Sequence, residues 1–385
     1  MSAIPKAIYE QTLLSFLAPI RPFLDDPRVS EVMINGPRNI YIERGGRLER
    51  TTAEFPSDDA LLAALRNLSQ YIGKLVDQDN PILEGRMPDG SRVEAVLPPV
   101  SPDGAMVSIR RFSRDTLTID RLMRLGSLTE GAVQALQAFV ASHVNIIISG
   151  GTGSGKTSLL NALTGVVPET ERVIVIEDSR EIQPQQDHVL QFEARPADPK
   201  GRGAVTIRDL FRASLRMRPD RIIVGEIRGG EALDIVQAML SGHGGCMGTL
   251  HANHPVDAMS RLETMAMMSE VDMPLAAMRT QIGSAVNLVI QAARLSDGSR
   301  KLTHISEVER FDVEQQRYVV NDLFVREFSR ADEDGAVTGE LKATGHLPSF
   351  LPLLTEHGFG VPEAMLEAAE RRGSRRATPP WESRP

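Results

Sequence analysis

The chain has 385 residues, which is long enough for two domains that each bury a core. Its 43 lysines and arginines are outnumbered by 51 aspartates and glutamates, so the charge balance argues against a nucleic-acid partner. The single cysteine, Cys246, excludes an internal disulfide and any multi-cysteine metal site, and it fits a reducing, cytoplasmic compartment.

Nothing in the sequence predicts export or insertion into a bilayer. Residues 1–24 lack the basic start, continuous apolar block and small-residue cleavage site of a signal peptide. The longest apolar stretches, such as VNIIIS and RIIVG, have the length of strands rather than the ~20 residues that span a membrane. We therefore expect a cytoplasmic chain without direct membrane insertion, in which any membrane contact is made through a partner or a surface.

Residues 1–114 combine short strands with one helix, which predicts a small N-terminal α+β domain. The predicted strands are VSEVMING, NIYIERGGRLERT, SRVEAVLPPV and AMVSIRRF. From Asp58 to Asp77, apolar residues recur at helical spacing as far as Leu75. Residues 115–130 are then predicted to form a partly helical interdomain linker.

From residue 131 to residue 345, apolar strands alternate with helical segments, and this alternation predicts a mainly parallel sheet covered by helices on both faces. Thr206 and Asp209 have capping-box spacing at the start of one helix. Asp297-Gly298 predicts a hairpin between AVNLVIQAARL and KLTHISEVER. Residues 346–369 are predicted as a C-terminal helical extension, and the arginine- and proline-rich residues 370–385 as a disordered basic tail.

The strongest signal is the sequence GGTGSGKT, which matches G-x-x-x-x-G-K-[ST] and stands directly between a strand and a helix. Glycines let the backbone fold around phosphates with its N–H groups inward, and the helix N-terminus adds positive potential. Lys156 is expected to reach the β- and γ-phosphates, and the Thr157 hydroxyl to join Mg²⁺. The predicted nucleotide-binding residues are Gly150, Gly151, Thr152, Gly153, Ser154, Gly155, Lys156 and Thr157.

Hydrolysis also needs a group that orients water, and a carboxylate at the end of a neighbouring strand is the usual solution. The strand RVIVIED ends with Glu177 and Asp178, and the strand RIIVGE ends with Glu226. Because ligands bind at the carboxyl ends of strands in such sheets, we expect both acidic sites to belong to the nucleotide site.

The segment SGHGGCMGTLHANHP offers three histidines, His243, His251 and His254. Zinc fits poorly, because His243 and His251 are far apart in the segment and no cysteine pair completes a ligand set. Two interpretations stay open for these side chains: packed or strand-end histidines, or hydrogen-bond donors to the γ-phosphate.

Taken in order, GGTGSGKT, IEDSREI, TIRDLFRASLRMRPDRIIVGEIRGGEA and SGHGGCMGTLHAN resemble the Walker A, Asp box, Walker B and His box of the type II/type IV secretion-system and pilus ATPases. The branch most similar to the chain is that of the CpaF proteins, which drive Tad-type pili. The resemblance extends over residues 25–310 and includes VSEVMINGPRNIYIERGGRLE in the N-terminal domain.

The resemblance implies a RecA-like P-loop ATPase domain with ATP and Mg²⁺ as ligands, preceded in the chain by a smaller PAS-like N-terminal domain. It implies that Glu226 orients the attacking water, that Glu177 and Asp178 form the Asp box, and that His243 and His251 form the His box. It also implies a homo-hexamer in which arginines of the N-terminal domain approach the γ-phosphate. By position these are Arg92 and Arg110, with Arg111 as a rival to Arg110.

Four further arginines surround the Walker B strand. They fit either arginine fingers, which approach the γ-phosphate, or intersubunit ion pairs. These residues are Arg216, Arg218, Arg221 and Arg228. Gly225 stands where many nucleotide hydrolases have an aspartate. The family resemblance implies that this strand tolerates the glycine, with the Asp box supplying the second acid.

The leading interpretation is a Mg²⁺-dependent ATPase motor, docked on an inner-membrane platform protein, that powers assembly or retraction of a pilus or protein secretion. One alternative is a RecA-like nucleic-acid translocase or helicase, against which stand the acidic balance and the small share of aromatic residues. Another is a nucleotide-gated scaffold without turnover, against which stand Lys156, Glu177 and Glu226.

Overall fold

The structure, a computed structural model, describes residues 12–112, 117–197, 201–329 and 337–377. The chain divides into two compact units, Met1–Asp115 and Thr116–Pro385.

Within the described residues of the first unit, six strands form one antiparallel sheet in the order β3-β2-β1-β6-β5-β4. The strands are β1 (Val29–Asn35), β2 (Ile40–Arg44), β3 (Arg47–Arg50), β4 (Ile82–Arg86), β5 (Arg92–Val96) and β6 (Met106–Arg110). The predicted segment NIYIERGGRLERT thus splits into β2 and β3, because Gly45 and Gly46 both take positive φ, 57° and 81°, and reverse the chain.

One face of this sheet is covered by helices α1 (Arg21–Asp25) and α2 (Asp58–Ile72), and strand and helix side chains share one hydrophobic core. Ser57 caps α2 by accepting the Ala60 N–H at 3.2 Å. The predicted extension of this helix to Asp77 is wrong. Gly73 takes a left-handed φ of 79° and ends the helix, and Leu75 beyond it is 67 % exposed.

Among the residues described for the second unit, nine strands form one sheet in the order β15-β14-β13-β12-β7-β11-β10-β8-β9. The strands are β7 (Ile146–Gly150), β8 (Val173–Glu177), β9 (Val189–Glu193), β10 (Arg221–Val224), β11 (Met247–Leu250), β12 (Leu288–Arg294), β13 (Arg300–Asp312), β14 (Arg317–Phe328) and β15 (Gly339–Ala343). Neighbours from β12 to β9 pair in parallel, whereas β12 to β15 pair antiparallel, including the predicted hairpin at Asp297-Gly298.

Helices cover both faces of the parallel part of the sheet. The helices are α3 (Ile119–Arg124), α4 (Glu130–Ala141), α5 (Lys156–Thr164), α6 (Ile207–Ser214), α7 (Glu231–Leu240), α8 (Pro255–Met267), α9 (Leu275–Ala285), α10 (Leu351–Glu356) and α11 (Glu363–Ala377). Along β7, Ile146 and Ile148 pack in one core and Ile147 in the other. The continuous apolar strands therefore reflect burial on two faces, as predicted. The capping box of Thr206 and Asp209 is present at α6.

Two segments predicted to lie outside the second, P-loop domain pack into the core of the second unit. In the predicted linker, Ile119, Leu122 and Leu128 are buried in the same cluster as the strands of the sheet. In the predicted C-terminal extension, Leu354 and Met365 join that cluster too. The spaced apolar residues of both segments bury against this unit.

The prediction of a disordered tail from residue 370 is wrong in its first part, because α11 continues to Ala377. Glutamate, alanine and arginine have high helix propensity, so this charged segment extends a helix already anchored by Met365. The rest of the predicted tail, residues 378–385, lies outside the described residues. No helix in the described part of the chain is long and apolar enough to cross a membrane.

Candidate nucleotide site

The predicted phosphate loop lies where β7 ends and α5 begins, at the carboxyl edge of the parallel strands. Gly150 is the last residue of β7, and a Cβ there would lie 2.4 Å from the Ala292 carbonyl oxygen and the Ser154 Oγ. Gly153 and Gly155 take left-handed φ values of 69° and 94°. Glycine is therefore required for close packing at one position and for backbone conformation at the other two.

Lys156 opens α5 and lies across this loop. Its side chain is buried, and its Nζ donates to the carbonyl oxygens of Gly150 and Gly151, both at 3.1 Å. The ammonium group is thus held against the turn that leads into α5. Such a turn, with a helix N-terminus and a lysine, fits the phosphates of a nucleotide.

A chain of polar contacts joins this lysine to the strand-end glutamate. Nδ1 of His251 lies 3.4 Å from Lys156 Nζ, and Nε2 of the same ring lies 3.0 Å from Glu226 Oε1. Burial and the charge of Lys156 lower the pKa of His251. A neutral ring that donates from Nε2 and accepts at Nδ1 satisfies both contacts.

Glu226 follows β10 and is held from its other side by Arg228. Arg228 donates to Glu226 Oε2 at 2.6 Å and to Asp178 Oδ2 at 2.9 Å. Burial alone would raise the pKa of Glu226, but the hydrogen bond and charge of Arg228, with the charges of His251 and Lys156, lower the pKa below its ordinary value. Glu226 is therefore ionised near neutral pH. The structure shows Arg228 as an ion-pair partner within its own chain.

Glu177 has a different environment from Glu226. Its side chain is 3 % exposed, and its Oε1 accepts the N–H groups of Glu181 and Ile182 at 2.9 and 3.0 Å. It also lies against Gly225, where an added Cβ would come within 2.8 Å of Glu177 Cγ. The glycine in the position of the usual aspartate thus has a steric reason, since Glu177 fills the space beside it.

His243 is not brought to this site within the chain. It precedes β11, whose Met247 pairs with Ile146 at the start of β7. The neighbouring Gly244 carbonyl lies 3.4 Å from Nδ1 of His143, before β7. His243 is therefore at the amino edge of the parallel strands and His251 at the carboxyl edge, separated by the length of β11. The two histidines therefore lie at opposite ends of β11, and only His251 is beside the phosphate loop.

Arg221 also lies at the amino edge, as a structural ion pair. The side chain is fully buried, and it donates to Glu171 from Nε at 2.6 Å and from Nη2 at 3.1 Å. Burial raises the pKa of Glu171, but hydrogen bonds from His143 and Arg221 and their charges outweigh it and lower the pKa to about 2. This arginine is not available as a finger.

In the first unit, Arg92 and Arg110 are directly opposite each other on β5 and β6, and Arg86 is opposite Arg92 on β4. Opposite residues of an antiparallel pair share a face, so these arginines form a row at one end of the sheet. Arg111 instead donates from Nη1 to the carbonyl oxygens of Asp26 and Val29. Arg111 therefore holds the backbone in place, whereas Arg110 lies in the arginine row with Arg92. These contacts favour Arg110 over Arg111 as the predicted arginine finger.

One arginine beside the phosphate loop was missed by the sequence analysis. Arg300, the first residue of β13, donates from Nε to the Gly153 carbonyl oxygen at 2.8 Å. The residue belongs to no nucleotide-binding motif and lies 147 positions from the loop it contacts. Only the pairing of β12 with β7 brings the hairpin to this edge.

The residues present also fit Mg²⁺. This ion prefers oxygen ligands, keeps several waters and takes one or two protein ligands together with substrate phosphates. Thr157 follows Lys156 in the first turn of α5 and offers a hydroxyl. Asp178 and Glu226 place carboxylate charge on two neighbouring strands of the same edge.

The sequence model of a family described as "Type II/IV secretion system protein" matches residues 15–322. A putative conjugal transfer protein of Mycobacterium tuberculosis is 32 % identical over 316 residues, covering 80 % of this chain and 89 % of that protein. The probable conjugal transfer protein TrbB of Sinorhizobium fredii is 35 % identical over 293 residues, covering 75 % of this chain and 86 % of that protein.

Among solved structures, the Legionella pneumophila ATPase DotB matches with a TM-score of 0.51 and 22 % identity, over 82 % of this chain and 84 % of that one. At this identity the likeness shows the fold. The predicted fold class, a RecA-like domain with a mainly parallel sheet that is preceded in the chain by a smaller α+β domain, is confirmed at that level.

Proposed function

Since the chain belongs to the type II/IV secretion system protein family, we propose that it is an ATP-hydrolysing motor that powers pilus assembly or retraction, or protein secretion, at the inner membrane. The working form is a homo-hexamer in the cytoplasm, docked on a membrane platform protein. Force passes to the membrane through these protein contacts.

The observation that carries this proposal is the continuous contact from Lys156 through His251 to Glu226. It connects a phosphate-binding loop to an ionised carboxylate on a neighbouring strand. A scaffold that only binds nucleotide needs the loop but not the carboxylate. In-line hydrolysis needs both, because a water must be oriented opposite the leaving phosphate.

In the proposed reaction, Lys156 exchanges the Gly150 and Gly151 carbonyls for the β- and γ-phosphates of ATP. Glu226 accepts a hydrogen bond from the attacking water and orients it toward the γ-phosphorus. His251 donates from Nε2 to Glu226 and so helps to hold the carboxylate that orients the water. Mg²⁺, when bound at Thr157, supplies neutralising charge on the phosphate oxygens.

Arg228 keeps the Glu226 carboxylate ionised and aligned, and Asp178 fixes Arg228 from the other side. Glu177 contributes to the site by accepting the backbone N–H groups of Glu181 and Ile182, which holds the segment after β8 in place. We assign Arg92 and Arg110 as the arginines that approach the γ-phosphate from the first unit, because an arginine on a moving domain couples phosphoryl transfer to motion.

Two variants test the chemistry in the full-length chain. Lys156→Ala should abolish nucleotide binding, measured with a fluorescent ATP analogue. Glu226→Gln should keep binding but lose phosphate release by orders of magnitude, since it removes the group that orients water. Glu193→Gln is the matched control, because Glu193 also ends a strand at this edge but lies outermost, on β9. Unchanged hydrolysis in Glu226→Gln would contradict the assignment.

The finer assignment to the Tad pilus branch rests on the quoted motifs. Genes for a prepilin, a platform protein and a secretin beside this gene would support it. Hydrolysis stimulated by DNA would instead support a nucleic-acid translocase.

A further inference from the structure

The start of β13 contacts the phosphate loop. Arg300 donates from Nε to the Gly153 carbonyl oxygen at 2.8 Å, and its Cδ lies 3.5 Å from the position that a Cβ on Gly155 would occupy. The aliphatic stem therefore packs over one left-handed glycine, and the guanidinium group binds the carbonyl of the other. On β12, Arg294 is the strand partner of Arg300.

The next two residues of β13 are fastened to a different part of the chain. Lys301 donates from Nζ to the Leu125 carbonyl oxygen, and the Leu302 N–H donates to Ser127 Oγ at 3.2 Å. The start of the strand is thus attached to the segment 125–127, which precedes α4.

Arg326 on β14 makes this attachment rigid. It is 5 % exposed and donates to the carbonyl oxygens of Leu302 at 2.7 Å, Gly126 at 3.0 Å and Ser127 at 2.7 Å. A buried guanidinium whose donors are satisfied by backbone carbonyls fixes those backbones relative to each other. Arg300 therefore extends from a fixed platform rather than from a loose hairpin.

We propose that Arg300 is a positioning residue for the nucleotide. From the start of β13, it holds the phosphate loop in the conformation that binds phosphate. The inference rests on the proposed ATPase function. Left-handed glycines give the loop many alternative conformations when it is not held. The hydrogen bond to the Gly153 carbonyl directs that oxygen outward, and the adjoining N–H groups then face the phosphates. The loop is preorganised, so less ordering is left to the bound nucleotide.

Hydrogen exchange of the nucleotide-free, full-length chain tests the brace directly. Arg300→Ala should speed exchange of the amides of residues 151–155, while the amides of β10 keep their protection. The affinity for ADP and for ATP should fall by about tenfold, as expected for loss of one charged hydrogen bond, with a smaller change in kcat than in KM.

Arg310→Ala is the matched control, because Arg310 lies on the same strand and pairs with the neighbouring Glu309 in an exposed position. Arg300→Lys keeps the charge but lacks the Nε donor, so it should resemble Arg300→Ala. Native loop exchange and native affinity in Arg300→Ala would overturn the proposal, as would full native affinity in Arg300→Lys. If the native chain itself binds no nucleotide, the proposed function fails, and this outcome is distinct from native binding that is insensitive to Arg300.

Discussion

Replacing Gly225 with alanine tests why this strand has no aspartate before its glutamate. The new Cβ would lie 2.8 Å from Glu177 Cγ and 3.4 Å from Glu177 Cβ and Oε1. Carbon atoms in good contact are about 3.5–4.0 Å apart, so Glu177 must move by about 1 Å or the strands must separate. Because Glu177 is buried and bonded to two backbone N–H groups, neither adjustment is free of cost.

The expected loss of stability is about 2–4 kcal/mol. Overpacking of a filled interior costs about 1–3 kcal/mol. Moving the carboxylate also weakens two charged hydrogen bonds, each worth about 1.5–3 kcal/mol when fully lost. For a unit of this size the melting transition should fall by about 5–10 °C. Gly225→Asp should lose more, because it adds a second carboxylate beside Glu177, and it should not raise hydrolysis.

Thermal unfolding followed by circular dichroism measures this effect, and ATP turnover at a permissive temperature accompanies it. Gly360→Ala is the control, since a Cβ there has no heavy atom within 4 Å. Its effect also accounts for the reduced flexibility that alanine brings to the unfolded chain. In a Glu177→Ala background, Gly225→Ala should cost at least about 1 kcal/mol less than in the native chain. Equal costs in both backgrounds, or a melting point equal to that of Gly360→Ala, would refute the steric explanation.

Other expected outcomes concern the histidines, the arginines of the first unit and the loss of stability at low pH. In steady-state phosphate release, His251→Ala should lower kcat, whereas His243→Ala should leave kcat and KM unchanged. An equal loss of kcat in both variants would show that both histidines act at the site, as the His-box resemblance implies. Arg111→Ala should lower the melting point of the first unit, whereas Arg110→Ala should keep it and lower turnover more than affinity; a rise in KM alone would count against a finger. Although burial raises the pKa of Glu171, its cationic partners depress the pKa to about 2 from 4.5, so its stabilisation is present above pH 4.5 and is lost as pH falls toward 2. Glu171→Gln should therefore flatten urea-unfolding stability across that window, and an unchanged slope would contradict the ion-pair assignment.

Local sequence rules were sufficient for the elements whose signals are contained in one segment. The phosphate loop, the capping box at Thr206 and the Asp297-Gly298 turn follow from residue types at fixed short spacing. The doubly covered sheet also follows, since a strand such as β7 that is buried on both faces must be apolar throughout. Composition was less reliable than spacing, as α11 shows by continuing through a charged segment that was predicted to be disordered.

The amino-acid sequence by itself determined which chemical groups are present and which strand end each of them follows. The tertiary structure alone decided which of them meet. Parallel pairing of β11 with β7 places His251 beside Lys156 and leaves His243 at the far edge. The pairing of β12 with β7 brings Arg300 to a glycine 147 residues away. Contacts between distant segments depend on strand order and register, and these are set by burial of the whole sheet rather than by any local pattern.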